Sequence, residues 1–533
     1  MTGEPRARWP LRAAAGGGLV FALSSPPTDL YPCVLAGMML LFIALRAGET
    51  ARRRALIAWL WAATASVVGL RFVPGVIERF TPVGLPGGVA LLVLLAAFQA
   101  LGWAAGGAVG FALERKLALD RRLAFGVTVL LACAWPNVLT WTPAGLLTPW
   151  PLLLQLGELV GERGLTLIFA VAAALLAAPF ESLTRPSEPR RAVPALTSWK
   201  GWWRSVAAGG ALLLALGGYG AARLPSVRAR LATLPTVKIG VVQAAVGARL
   251  RWEPGQAPRI VRRLRRLTIE AERAGAELVV WPEAAYPYVL GHAAARTPLG
   301  GRGVVGGGVR GPVLTGAITR APGGDGEYNA ATVVDARGMT QLPQAKLQLL
   351  WFGETVPLSE YFPWLRRVFF RAGGLIPGDR VSLLSAGGAR IGVLNCYEDT
   401  LASVGRRVAR ANPNLLVNVT NDAWFGPTAE PELHLRLSAM RSIETRRGLV
   451  RAVNLGVPAF IDATGAVVER GSASAESVLI ASAALDDGSP TFYTRAGDLP
   501  LIALLVAVTL ASWAARRRQR RTRASTNDVS PTL

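Results

Sequence analysis

Three side chains that could together move an acyl group lie far apart in this chain, each close to an apolar or aromatic run. Cys396 closes Arg390-Ile391-Gly392-Val393-Leu394-Asn395-Cys396, a buried-strand pattern followed at once by Tyr397, Glu398 and Asp399. Glu283 closes Leu278-Val279-Val280-Trp281-Pro282-Glu283, and Lys346 precedes Phe352-Gly353-Glu354. A thiol is a weak nucleophile until it loses its proton. A carboxylate at the end of a buried strand is partly desolvated, which raises its basicity and suits Glu283 to take that proton. Lys346, helped by a backbone N–H near Tyr397, would supply positive charge where a tetrahedral oxyanion develops. The acyl group would then rest on Cys396 as a thioester until a second substrate takes it.

The elements that must hold these residues run from about 224 to 497. Val237–Gln243, Leu278–Trp281, Val313–Thr319, Tyr328–Asp335, Arg390–Asn395, Leu415–Thr420, Leu449–Val453, Ala459–Asp462 and Ser477–Ala483 read as strands. Ile260–Arg273 reads as an Arg-rich amphipathic helix. Glu432–Arg447 reads as a second helix, with Leu433, Leu437, Met440 and Ile443 at helical spacing. Alternation of the two element types points to a layered α/β domain. Gly291–Gly311, rich in Gly and Ala, is expected to be a mobile loop. Tyr361–Phe370 is either a short core helix or an interfacial lid, with aromatics in the acyl boundary and arginines at phosphates.

Around this domain the chain is greasy. Of 533 residues, 51% are hydrophobic and 17% charged, a balance normal for a membrane protein. Apolar stretches at about 10–25, 30–46, 55–73, 87–113, 123–140, 164–180, 204–222 and 498–515 are candidate spans. The net charge of +24 sits largely in arginine runs flanking these stretches, which argues against nucleic acid as the partner. Arg6, Arg8 and Arg12 form the first such set, and Arg46, Arg52, Arg53 and Arg54 the second. Arg115, Lys116, Arg121 and Arg122 form the third, and Arg185, Arg190, Arg191 and Lys200 the fourth. The tail holds Arg516, Arg517, Arg518, Arg520, Arg521 and Arg523. All five sets fall on one side if every stretch crosses, so both termini are expected in the cytoplasm and the polar domain outside. The expected organisation is a seven-helix membrane domain over 1–223, a catalytic domain over 224–497, a last span over 498–516 and a basic tail over 517–533. Cys33, Cys133 and Cys396 imply no disulfide framework. His292 and His434 are too isolated for a metal site, and no cofactor is called for.

The ordered residues Trp281-Pro282-Glu283, Lys346, Phe352-Gly353-Glu354 and Asn395-Cys396-Tyr397-Glu398 resemble the nitrilase superfamily. Thr420-Asn421-Asp422-Ala423-Trp424-Phe425-Gly426 is more specific, as is the stretch from His434 through Met440-Arg441-Ser442-Ile443-Glu444 to Arg451-Ala452-Val453-Asn454. With spans on both sides, the chain resembles the apolipoprotein N-acyltransferase family over nearly its whole length. The resemblance implies an α-β-β-α sandwich and a bacterial inner-membrane enzyme, expected as a monomer with its catalytic domain on the periplasmic face. It implies a membrane phospholipid as acyl donor. It implies the α-amino group of a diacylglyceryl-modified N-terminal cysteine of a lipoprotein as acceptor. By motif match, Glu354 would position or neutralise Lys346, and Glu398 would orient the acceptor amine or complete the charge network. Trp252, Asn329 and Trp424 would border the substrate cleft. The chain departs from the family at Gln344, Gln348 and Trp351, which stand where Tyr, His and Pro are usual, and at Ala244-Ala245, where Gly-Asn is usual.

Plainer readings stand beside these. His434, on an amphipathic helix, suits packing or capping. Asn418-Val419-Thr420 fits a glycosylation pattern but falls on a buried strand. The arginine tail suits a cytoplasmic anchor. At the level of the whole chain, the alternatives are a membrane-tethered nitrilase-type amidase and a transporter or receptor whose outer domain has lost catalysis.

Overall fold

The computed structural model describes residues 5–184, 199–247, 250, 253–370 and 373–527. Arg185, Arg190, Arg191 and Trp252 lie outside the described residues. The chain opens with helices α1 (Pro5–Ala22), α2 (Cys33–Arg46), α3 (Ala51–Gly69), α4 (Val73–Phe80) and α5 (Gly84–Leu117). Helices α6 (Arg121–Ala134), α7 (Gly157–Leu176) and α8 (Trp199–Leu231) follow. Thr50 caps α3 by accepting the Arg53 N–H, and Asp120 caps α6 by accepting those of Arg122 and Leu123. Helix α6 stops short of the expected span because Trp135 precedes Pro136 and is pushed into extended conformation.

Each of the seven expected stretches before residue 224 holds a helix, and an eighth, α4, is added. Pro74 starts a new helix there, and α3 and α4 meet at a 61° bend. Among the described residues, α5, α7 and most of α8 and of the C-terminal helix are long and apolar enough to cross a bilayer; the bent α3–α4 pair makes a fifth if it counts as one span. Bare Cα positions let the helices close. A Cβ on Gly18 would lie 2.3 Å from the Trp61 carbonyl oxygen, and one on Gly106 would lie 2.4 Å from that of Thr128. Helix α8 runs to Leu231, eight residues past the expected domain boundary, and leads directly into the catalytic domain.

That domain begins β1 (Thr236–Gln243), α9 (Gln256–Arg273), β2 (Leu278–Val280), β3 (Tyr286–Gly291), β4 (Val313–Arg320), β5 (Glu327–Val334) and β6 (Gln344–Ala345). It continues α10 (Trp364–Val368), β7 (Leu384–Ala386), β8 (Ala389–Asn395), α11 (Ala402–Ala409), β9 (Leu415–Thr420) and α12 (Glu430–Thr445). It ends β10 (Leu449–Val453), β11 (Ala459–Ile461), β12 (Val467–Arg470), β13 (Ser477–Ala484) and α13 (Phe492–Ala496), before α14 (Leu499–Asn527). One sheet runs β13-β1-β2-β4-β5-β6 with β3 beside β4, and the other runs β12-β11-β10-β9-β8-β7. Alternation along the strands sets the layers. Val237, Ile239, Val241 and Val280 meet Ile391, Val393, Val417 and Val450 between the sheets. Val242, Val279 and Trp281 turn outward onto Val261, Leu264 and Ala271 of α9. Leu394 and Leu416 turn outward onto Val408 of α11 and Leu435 and Ala439 of α12. The result is a four-layer α-β-β-α sandwich attached to a helical membrane domain.

The glycine-rich 291–311 segment, expected to be a mobile loop, is anchored. Val304, Val305 and Val309 are buried in the α9 core, and Glu272 accepts the Arg310 and Gly311 N–H groups at 2.8–3.1 Å. Helix α12 is buried on both faces. Its Leu433, Leu437, Met440 and Ile443, noted for their helical spacing, belong to the same cluster as Met38, Leu41 and Phe169 of the membrane helices. Two ion-pair groups flank this contact. Arg441 holds Glu162 of α7 at 2.5 Å and Glu444 at 3.0 Å, and Arg446 holds Glu158 at 2.8 Å. Replacing Arg441 by Met strands two buried carboxylates and is expected to cost about 3–5 kcal/mol. Thermal unfolding of the detergent-solubilised protein measures it, and an unchanged midpoint would mean this anchor carries no stability.

Candidate active site

Four chain segments reach one point because each follows a strand of the sandwich. Strand β2 delivers Pro282 and Glu283, β6 delivers Lys346, β8 delivers Cys396, and β9 delivers Thr420 and Asn421. Carboxyl ends of parallel strands commonly house sites in α/β folds. Lys346 and Asn329 arrive in register because the Lys346 N–H donates to the Asn329 carbonyl at 2.8 Å. Cys396 sits at the turn from strand to 3₁₀ helix with φ of 53°, a left-handed conformation that a non-glycine residue keeps only when its surroundings hold it.

The Lys346 ammonium is 1% exposed and lies 2.8 Å from Glu354 Oε2 and 3.5 Å from Glu283 Oε1. Asn329 Nδ2 donates to both carboxylates, at 2.6 Å to Glu283 and 3.0 Å to Glu354. The Cys396 thiol lies close enough to Glu283 for the two to shift each other's pKa, and Thr420 follows it across the strand ends. Thus Glu283, Lys346, Cys396, Glu354 and Asn329 form one cluster. The ammonium also lies 5.4 Å from the centre of the Tyr397 ring, whose hydroxyl donates to the Leu349 carbonyl at 3.0 Å.

Burial and charge divide the two carboxylates. Burial raises the Glu283 pKa, with Lys346 opposing. Burial would raise Glu354 too, but Lys346 and the Leu350 N–H overcome it and hold it below its ordinary value. Burial alone would lower Lys346, yet Glu354, Cys396 and Glu283 lift it well above the usual lysine range. Burial, then Glu283, lifts Cys396 well above the usual thiol range, so the resting group is a thiol. The arrangement can therefore hold a base, a permanent cation and a protonated nucleophile side by side.

Glu398 is used differently from a group facing substrate. Oε1 accepts the Leu347 and Gln348 N–H groups at 2.6 and 2.9 Å, and Oε2 accepts the Asn395 N–H at 2.7 Å. It ties the segment after Lys346 to the cysteine turn. Trp424 packs on Phe80 of α4, with ring centres 4.5 Å apart, and Arg79 donates to its carbonyl; it borders the junction with the helix bundle. Trp252 is outside the described residues. Gln344 is buried and accepts the Ser382 N–H, Trp351 leans toward Phe98 of α5, and Ala245 has a φ of 49° where the family's Asn would sit with less strain. The core-helix reading of Tyr361–Phe370 is overturned. Helix α10 buries none of its residues, and Tyr361 is 77% and Phe370 60% exposed.

Sequence reasoning missed a closed ring of charges behind the nucleophile. His434 Nε2 contacts Asp399 Oδ1 at 2.9 Å and His434 Nδ1 contacts Asp422 Oδ1 at 3.1 Å. Arg451 bridges the same two aspartates at 2.5 and 3.2 Å. His434 therefore ties α12 to the turns after β8 and β9, more than the packing or capping expected of it. Its neighbours were visible only as parts of a family pattern. Among the described residues, Asp422, Glu430 and His434 alone have donor atoms close enough together for a metal ion. Both ring nitrogens of His434 are already engaged by carboxylates and Arg451 occupies Asp422, so the cluster carries its own cations.

This fold and this Glu, Lys and Cys cluster define a carbon–nitrogen hydrolase type of domain. The model of the family described as Carbon-nitrogen hydrolase matches residues 238–491, and that described as Apolipoprotein N-acyltransferase N-terminal domain matches 17–175. An apolipoprotein N-acyltransferase of Azotobacter vinelandii is 32% identical over 96% of both chains. One of Bradyrhizobium diazoefficiens is 32% identical over 77% of this chain and 76% of its own. One of Geobacter metallireducens is 31% identical, and the match spans 53% of this chain and 54% of that one. Among solved structures, an amidase from Nesterenkonia sp. is 17% identical with a TM-score of 0.34, covering 50% of this chain and 95% of that chain. The chain belongs to the apolipoprotein N-acyltransferase family, and is an enzyme of the acyltransferase class.

Glu398→Gln is expected to turn an amide N–H₂ toward one of the three backbone donors. The lost hydrogen bond should cost about 1–3 kcal/mol. Thermal unfolding of the variant checks this; wild-type stability would mean that the carboxylate does not hold the two segments together.

Proposed function

We propose that the protein transfers an acyl chain from a membrane phospholipid to the α-amino group of a lipoprotein's N-terminal diacylglyceryl-cysteine, through a thioester on Cys396. The observation that carries this reading is a buried cysteine, base and lysine cluster built into a domain whose helix α12 shares its core with membrane helices. Glu283 takes the Cys396 proton, and the thiolate attacks the donor ester carbonyl. Lys346 faces the oxyanion. The C–O bond breaks, and the leaving lysophospholipid oxygen recovers the proton from Glu283. The acceptor amine then attacks the thioester, giving up a proton through Glu283 as the C–N bond forms. The C–S bond breaks and the proton returns to sulfur.

The catalytic domain is assigned to the outer face and both termini to the cytoplasm. Support comes from which end of the bundle touches the catalytic domain. Asp29 between α1 and α2 pairs with Arg436, Arg79 of α4 donates to the Trp424 and Phe425 carbonyls, and Glu158 and Glu162 of α7 pair with Arg446 and Arg441. The basic sets gather elsewhere, Arg46 and Arg54 on Glu114 and Arg121 on Glu181. This is the charge asymmetry of a protein with its arginine-rich end inside. The exposed aromatics of 361–370 suit a lid at the acyl boundary that keeps water from the thioester.

Incubation of the purified protein with phospholipid alone, followed by mass spectrometry, is expected to add an acyl mass to the Cys396 peptide that hydroxylamine removes. An active preparation that never carries this mass would exclude the two-step route. The raised pKa of Glu283 sets the pH dependence. Its base form is lost as pH falls through a value above the ordinary carboxyl range, while Lys346 stays charged throughout. Initial acylation rates should therefore drop along a single acid limb, and Glu283→Gln should lower them by about 10²–10⁴ above that limb and remove the limb itself, the two proteins converging at low pH. A pH-independent rate on the acid side would remove Glu283 as the base.

A further inference from the structure

Behind the nucleophile, the last residue of β9 occupies a position that no role above uses. Strands β8 and β9 run parallel with Asn395 opposite Val419, so the next residues along, Cys396 and Thr420, are neighbours at the strand ends. Thr420 is fully buried. Its hydroxyl donates to Asp422 Oδ1 at 3.2 Å, and the strand register sets it beside Cys396, whose thiol it helps to hold down in pKa against burial. It has one proton to share between them.

We propose that Thr420 is a catalytic residue for the thioester chemistry, its hydroxyl turning from Asp422 to the Cys396 sulfur whenever that sulfur is anionic. In the resting state the thiol proton is directed to Glu283, and a carboxylate is a better acceptor than a neutral sulfur, so the hydroxyl proton lies on Asp422. Transfer of the thiol proton to Glu283 makes sulfur the competing anion. Rotation of the O–H about the Thr420 Cβ–Oγ bond then turns its proton from Asp422 toward the sulfur. The same bond serves again when the thiolate leaves the second tetrahedral intermediate.

What makes the turn inexpensive is the ring around Asp422. His434 Nδ1 donates to Oδ1 at 3.1 Å and Arg451 donates to Oδ2 at 3.2 Å, so Asp422 remains bonded when Thr420 leaves it. Both cations are in turn fixed by Asp399, three residues beyond the nucleophile. His434 stays protonated through neutrality. Burial and Arg451 oppose its charge, but Asp399 and Asp422 lift its pKa to about 10. The ring is thus a fixed charge pattern, and the Thr420 hydroxyl is the rotatable donor between it and the sulfur. The other groups bearing on the sulfur are Glu283, Lys346 and Glu354.

This inference rests on Cys396 being the nucleophile, and the test separates the two. Full-length wild type and the variants Thr420→Val, Thr420→Ala and Thr420→Ser are alkylated with iodoacetamide across a pH series, and the Cys396 peptide is quantified by mass spectrometry. Loss of a hydrogen bond to a charged group should slow Val and Ala alkylation by about tenfold near neutrality and move their pH profile upward by about one unit. Thr420→Ser, which keeps the hydroxyl, should stay within about twofold of wild type. Equal profiles for wild type, Val and Ala overturn the proposal. So does a serine variant as slow as alanine, because packing rather than the hydroxyl would then be responsible. Thermal unfolding identifies any variant whose change comes from misfolding, and Ala keeps the comparison open if Val fails. A wild-type Cys396 that resists alkylation at every pH removes the nucleophile assignment itself, a result distinct from either of the others.

Discussion

A lysine ammonium without water is the constraint on which this site depends. Taking such a charge out of solvent costs several kcal/mol unless it is paired and its geometry is held. Here the pairing is double, Glu354 at 2.8 Å and Glu283 at 3.5 Å, and Asn329 spans both carboxylates so that neither can swing away. Glu398 fixes the backbone on which Lys346 sits and the turn that carries Cys396 with one carboxylate. The sandwich makes this possible because strands of both sheets end at the same point: Glu283, Lys346 and Cys396 each come just after a strand, and Asn329 sits at the start of β5 beside them.

The second constraint is mechanical. Helix α12 has one face in the membrane bundle and the other against the sheet that ends in Cys396. His434 on one face joins the charge ring behind the nucleophile, and Arg441, two turns further on, grips α7. A single rigid helix therefore fixes the distance between the bilayer-embedded domain and the sulfur. The proposed transfer between two lipid-anchored substrates needs that distance fixed, because positioning is much of what such a site contributes.

Nine of the strands and the approach of Glu283 and Cys396 were legible because each lies in a short apolar run with a polar terminator, whereas β3, β6, β7 and β12, the short or edge strands, carried no such run. What escaped was whatever depends on contacts between distant segments. The burial of α12 on both faces was not readable, since Leu433 and Ile443 show the same spacing whichever layer they pack on. The loop over 291–311 looked unconstrained because Glu272, which accepts its N–H groups, lies in another element. The break at Pro74 carried a local signal, and so did the halt at Pro136. Treating each apolar stretch as one span passed over both. The ring formed by Asp399, Asp422, His434 and Arg451 had no local signal at all, because its members sit on four elements.

The two carboxylates explain each other. With Glu283 as the only partner, the ammonium would close on it and hold its pKa low, leaving a poor base. Glu354 takes the nearer position and the stronger bond, so its own pKa falls while that of Glu283, left with the longer contact and the full effect of burial, rises. The net charge of the cluster is the same before and after the thiol proton moves to Glu283, because one anion replaces another beside the same cation. Proton transfer then demands little reorganisation of a site so shielded from solvent. On the proposed route, the oxyanion that follows inherits the cation in place of the thiolate. A second carboxylate that appears redundant in the sequence is thus what would allow one lysine, in the proposed mechanism, to serve a base and an oxyanion in turn.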